Sequence, residues 1–199
     1  MNRTIRLALV VAGLSLSACA RPVPIAFEGQ EKTKFLRCTL RPNEQYLYPS
    51  NYLSVQNFVR AGTEAQVTMY STRQVDLTLN KIAYKMVPLT ELWSTNPDEF
   101  MKKYFVDSVA ELGLDKLDAS LRKKIETGNY HYGMTKEQAY AAAGPPQWVD
   151  FNVDATNMTL DQIMDKNRWE YRYSDVMASW WPIKTVFVFD EGKLSQVIQ

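Results

Sequence analysis

Two thiols, Cys19 and Cys38, and one imidazole, His131, are the side chains in this 199-residue sequence most suited to covalent chemistry. Cys19 closes Leu16-Ser17-Ala18-Cys19, directly behind an apolar run. Arg3 and Arg6 open that run, Leu7 to Leu16 form its core, and small residues lead into the cysteine. A positive start, a short apolar core and a small-residue boundary make a secretory signal. A membrane span needs about 20 apolar residues, so this run is too short to stay as one. Cleavage near Ala20 would discard Cys19; cleavage before it would leave Cys19 as the new amino-terminal residue.

The remaining chemistry reads blandly. With Cys19 either removed with the signal or taken up at its cleavage site, Cys38 has no disulfide partner. Its setting, Phe35-Leu36-Arg37-Cys38-Thr39-Leu40, alternates, which suits a small buried hydrophobe. A nucleophilic thiol needs a base beside it, and His131 would have to supply it. His131 lies between Tyr130 and Tyr132, where a lone histidine is better explained as structural. One histidine and one thiol do not make a zinc site. Asp115 with Asp118, and Asp161 with Asp165, can be drawn as carboxylate pairs but read as solvated helix faces. No glycine-rich phosphate loop follows a strand. No catalytic residue, metal ligand or cofactor is therefore expected. The aromatic candidates are Trp180, Trp181 and Trp148. Adjacent tryptophans on a regular strand cannot both point inward, so one of the Trp180-Trp181 pair is expected at an exposed edge, where aromatics mark partner surfaces. The bland alternative folds that ring over the sheet rim; Trp148, just after Gly144-Pro145-Pro146, carries the same two readings.

The Cys19 segment resembles the lipobox of secreted bacterial lipoproteins. That resemblance implies cleavage between Ala18 and Cys19, lipid on the Cys19 thiol and acylation of the new amine. The next residue, Ala20, is not the aspartate associated with inner-membrane retention, which implies the periplasmic face of the outer membrane. Without residues 1–18 the chain has 21 basic and 22 acidic residues, a net charge of −1, because the signal removes Arg3 and Arg6 and no acid. A near-neutral chain without a basic stripe gives no sign of nucleic-acid binding. Hydrophobic residues make up 46%, enough for a globular core.

Residues 19–32, with Pro22, Pro24 and Gly29, read as a tether. Residues 33–90 read as a small all-β module. Its expected strands are 34–40, 53–59, 64–70, 75–79 and 82–87, with Asn80-Lys81 as a tight turn. Five short strands in about 55 residues suggest a small SH3-like barrel, because closure removes edges. Residues 91–127 read as a helical connector. Asn96-Pro97-Asp98 starts one helix, Leu112, Leu114, Leu117, Leu121 and Ile125 stripe another, and Gly128 stops it. Residues 128–199 read as an α+β unit. Thr135 to Gln138 and Thr159 to Gln162 are capping boxes, and Gly144-Pro145-Pro146 ends the first helix. Strands follow at 168–173, which alternates as a strand with one face buried, at 185–189 and at 193–198, with Asp190-Glu191-Gly192 as a turn.

A series of motifs then stands out: Tyr132-Gly133-Met134-Thr135-Lys136-Glu137-Gln138-Ala139-Tyr140, Gly144-Pro145-Pro146, Trp169-Glu170-Tyr171 and Phe187-Val188-Phe189-Asp190-Glu191-Gly192-Lys193-Leu194. It resembles the SmpA/OmlA (BamE-like) outer-membrane lipoprotein family over roughly 70 residues of the chain. The resemblance implies two helices packed on a three-stranded antiparallel sheet, a fold shared with β-lactamase-inhibitor-type domains. Here residues 147–166 lengthen the helix-to-strand connection. The 33–90 segment resembles the N-terminal part of uncharacterised bacterial proteins that join such a module to a BamE-like one. Together these features lead one to expect a non-enzymatic, lipid-anchored periplasmic protein that binds other envelope proteins in outer-membrane assembly or maintenance. A cell-wall tether binding peptidoglycan, or an inhibitor using its sheet face, are the alternatives.

Overall fold

The computed structural model describes residues 25–47, 57–71, 74–86, 96–173 and 183–199. In chain order the first half holds β1 (Ile25–Leu36), β2 (Pro42–Asn43), β3 (Tyr46–Leu47), β4 (Glu64–Ser71), β5 (Val75–Leu79) and β6 (Ile82–Met86). Helix α1 (Pro97–Tyr104) and β7 (Phe105–Val106) follow. Two 3₁₀ turns, Val109–Leu112 and Leu114–Lys116, lead to α2 (Ala119–Glu126) and α3 (Lys136–Ala143). The rest is β8 (Trp148–Val149), β9 (Val153–Asp154), α4 (Leu160–Met164), β10 (Arg168–Tyr173), β11 (Ile183–Asp190) and β12 (Lys193–Ile198). The protein is thus α+β, with two sheets.

The first sheet has the order β2-β3-β6-β5-β4-β1-β7. Its β3–β6 pair is parallel, and its other pairs are antiparallel. It is open, with β2 and β7 at its ends among the described residues, so the expected barrel closure is not formed. The reason is β1. The tether expected over 19–32 gives way at Ile25 to a 12-residue strand paired along β4, and β1 then takes β7, from the helical connector, on its other side. The sheet grows sideways instead of closing on itself. The strand expected over 34–40 stops at Leu36, because the backbone beyond it bonds elsewhere. The Arg37 and Thr39 N–H groups donate to the Tyr104 and Ala141 carbonyls, and Leu40 bridges Val59. The buried Thr39 hydroxyl donates to the Ile125 carbonyl and accepts the Ala61 N–H, tying the sheet to α2. Of the strand expected over 53–59, residues 53–56 lie outside the described residues. Asn80 and Lys81 take φ of 50° and 68°, the left-handed pair of a tight β5–β6 hairpin.

Asn96 caps α1 by accepting from the Asp98 and Glu99 N–H groups, with Pro97 in the first turn. The 112–125 stripe is not one helix. Gly113, at φ 60°, ends the first 3₁₀ turn, and the Asp118 carboxylate accepts from Ser120 and Leu121 to start α2 afresh. Both expected capping boxes form, at Thr135 and Thr159. Gly144 ends α3 at φ 76° and ψ −173°, a region open essentially to glycine. The second sheet has the order β12-β11-β10-β8-β9, antiparallel throughout. Five strands stand where three were expected, because the 147–166 insert folds back as the β8–β9 hairpin.

One apolar core runs through both sheets, from Leu36, Val67 and Leu77 through Met101 and Ile125 to Trp169 and Phe187. Trp169, 0% exposed, packs at 4.5 Å from Phe189 and edge-on at 6.0 Å from Tyr140. Its indole N–H donates to the Ile163 carbonyl at 3.1 Å, so the largest core ring is also the anchor of α4.

Candidate functional site

The alternation of 168–173 places Trp169 and Tyr171 in the core and Arg168, Glu170 and Arg172 on the sheet's outer face. Pairing register extends this face into one row across all five strands: Ile198, Val186, Glu170, Trp148 and Asp154. Contrary to the one-face-buried reading, Glu170 is 0% exposed. Its carboxylate lies under cationic side chains. Arg168 Nε is 3.1 Å from Oε1, Lys184 Nζ is 2.7 Å from Oε2, and Arg172 Nη2 is 3.9 Å from Oε2. Burial pushes the Glu170 pKa up, but Lys184 and Arg168 outweigh it and hold the carboxyl below its ordinary range. Three cations share one carboxylate, so positive charge remains on the face.

The same arginines stack on the aromatic rings of the β8–β9 hairpin. Arg172 lies 4.7 Å over the Trp148 ring, and Arg168 lies 4.7 Å over Phe151. The turn is unusual. Asp150, Phe151 and Asn152 take φ of 39°, 61° and 77°, three successive left-handed residues with no glycine among them. Each costs on the order of 1 kcal/mol relative to a right-handed residue. The turn is held by an Asp150–Lys166 ion pair at 3.2 Å and by a hydrogen bond from Arg172 to Asn152. What it holds up is a Phe151 ring 77% exposed to solvent. Strained backbone that presents an exposed aromatic ring is a mark of a functional loop.

Trp148 therefore belongs to this face as a half-buried ring beneath Arg172. Trp180, Trp181 and Cys19 lie outside the described residues. Cys38 is fully buried, and burial pushes its thiol pKa up to about 12, which suppresses the thiolate a nucleophile requires. His131 Nδ1 sits 2.5 Å from the Tyr132 carbonyl oxygen, a local turn contact. Asp118 serves as the α2 cap and Asp165 ends α4. Among the described residues no cluster of three or more histidine, cysteine or acidic side chains could hold a metal. None of the described helices is long and apolar enough to cross a membrane.

The sequence reading missed Phe151, Arg168, Glu170 and Arg172. The Arg-x-Glu-x-Arg alternation was visible, but it shows only that the three charges share a side. That their stems would close over the carboxylate depends on Lys184, 14 positions away and directly opposite Arg172 in the β10–β11 register. Against protein-family models, curated proteins and solved structures, the chain has no match.

Proposed function

We propose that this chain is a non-enzymatic, lipid-anchored periplasmic protein that binds another envelope protein through the outer face of its second sheet. The observation that carries this reading is the pair of arginine–aromatic stacks, Arg172 on Trp148 and Arg168 on Phe151, beside a strained, exposed turn. Arginine and tryptophan are the residues that most often dominate binding energy at interfaces, and prior stacking limits the side-chain entropy lost on docking. The Leu16-Ser17-Ala18-Cys19 signal supports anchoring by lipid on Cys19 at the outer membrane. The motif series over 132–194 supports a BamE-like unit with a role in outer-membrane assembly or maintenance. The SH3-like character expected for the module over residues 33–90 belongs to the same reading, in a sheet that stays open.

Crosslinking in intact cells, followed by purification of the chain, tests the proposal. The expected result is a discrete envelope-protein adduct that Phe151→Ser and Arg172→Ala each diminish while the melting temperature stays near wild type. Sedimentation of the chain with isolated sacculi, unaffected by these substitutions, would instead favour a peptidoglycan tether and defeat the proposal.

A further inference from the structure

We propose a second site, independent of the sheet face: the cavity between β1, β4, α1 and β7 binds a single-chain amphiphile by its carboxylate. The cavity measures about 440 Å³, within the range of small-molecule sites. Its floor is Val67, Met101, Phe105 and Val106, all nearly buried. Its cationic pole is Arg37. The guanidinium Nε donates to the Lys102 carbonyl at 2.7 Å and Nη2 to the Phe105 carbonyl at 3.4 Å, carbonyls at the end of α1. Those bonds fix the fork but leave its charge uncompensated. Among the described residues no carboxylate pairs with Arg37.

The acids around the cavity are already engaged. Asp107 pairs with Lys34. Asp98 accepts from the Tyr70 hydroxyl at 3.1 Å. Glu111 accepts the Ser108 and Asp107 N–H groups at 2.9 and 3.1 Å in a capping box. Lys102 is held by Glu99 at 2.6 Å. The lining thus holds four cations, Lys32, Lys34, Arg37 and Lys102, against the three carboxylates of Asp98, Asp107 and Glu111, and Arg37 is the cation fixed in place above the apolar floor. A carboxylate can take two of its N–H groups in parallel, while an alkyl chain covers the floor. A cationic headgroup would meet the Arg37 charge at close range, and an uncharged one would gain only a neutral hydrogen bond there.

Calorimetric titration of the full chain with sodium dodecanoate, and with dodecanol as the uncharged control, tests the site. Methionine-methyl NMR reads the location. We expect saturable one-to-one binding of dodecanoate, at least about tenfold tighter than dodecanol. The Met101 methyl should shift while the Met134 methyl, fully buried and not part of the cavity lining, stays in place. Arg37→Gln should weaken dodecanoate at least about tenfold, with Arg37→Lys intermediate. If Arg37→Gln unfolds the end of α1, the headgroup comparison and the methyl map on the wild-type chain decide alone. Equal affinity for dodecanol, shifts at Met134 with none at Met101, or no heat up to the solubility limit would each overturn the proposal.

Discussion

Lys103 should give the protein a stability that rises with pH on the alkaline side. It lies in the last turn of α1, is 4% exposed, and donates from Nζ to the Thr156 carbonyl at 2.6 Å and the Ala155 carbonyl at 3.3 Å. Burial lowers its pKa to about 8 from the ordinary 10.5, against the opposing pull of Glu99 and Asp154. Between those values the folded chain binds fewer protons than the unfolded chain, so stability climbs with pH through that window; below it the cost of the buried ammonium is fully present. The full gap is worth about 3 kcal/mol, and about 2 once solvent reaching the Thr156 end is allowed for. Cys38, Tyr104 and Tyr140 are held protonated by burial and pull the other way, but equally in both proteins compared. Lys103→Met keeps the stem volume and removes the titration. Urea unfolding followed by tryptophan fluorescence from pH 7 to 10 should show wild type gaining about 1–2 kcal/mol on the variant across the range, the remainder lying above pH 10. Parallel curves would refute the reasoning, because the amine would then titrate alike in both states.

Glu170→Gln leaves Arg168, Arg172 and Lys184 facing one another without a carboxylate. It should cost about 1–3 kcal/mol, discounted because Lys184 and Arg172 are partly exposed. Since the Glu170 pKa is depressed, its stabilisation is present above the ordinary value of 4.5 and lost as pH falls below it. The variant should lack that part of the acid limb in urea melts. Gly144→Val forces a β-branched residue to φ 76° and ψ −173° and should cost about 1–3 kcal/mol, lowering the melting temperature; an unchanged melt would show that α3 does not need this ending. Cys19→Ala should release the chain from membranes, and mass spectrometry of wild type should find an acylated Cys19 at the amino terminus; a soluble chain starting at Ala20 or later would contradict it.

What was legible in the sequence was local. Asn96, Thr135 and Thr159 announce their helices because a cap needs only the three residues that follow, and Asn80-Lys81 announces its turn for the same reason. Strand β1 was not legible across 25–32, where proline and glycine nearby suggested a tether and the pairing partner, β4, lies some 40 residues downstream. Barrel closure failed as an expectation because β7 arises from the helical connector and occupies the β1 edge. The 112–125 stripe carried helical spacing, but Gly113 and Asp118 divide it. At the candidate site, Trp148 was legible as an aromatic after a turn. Phe151 was not, because Asp-Phe-Asn is a poor forecast of three left-handed residues, and the hairpin holds them through contacts from Lys166 and Arg172.

The Phe151 turn is the proposed point of contact with an envelope protein. A photo-crosslinking phenylalanine analogue placed at position 151 in the full chain, and separately at Ile82, which is 54% exposed on the first sheet, tests this directly. Irradiation of intact cells should give one discrete envelope-protein adduct from position 151, abolished by Arg172→Ala, and none from position 82. Identical adduct patterns at the two positions, or no adduct from position 151 in a chain that is folded and membrane-anchored, would contradict it.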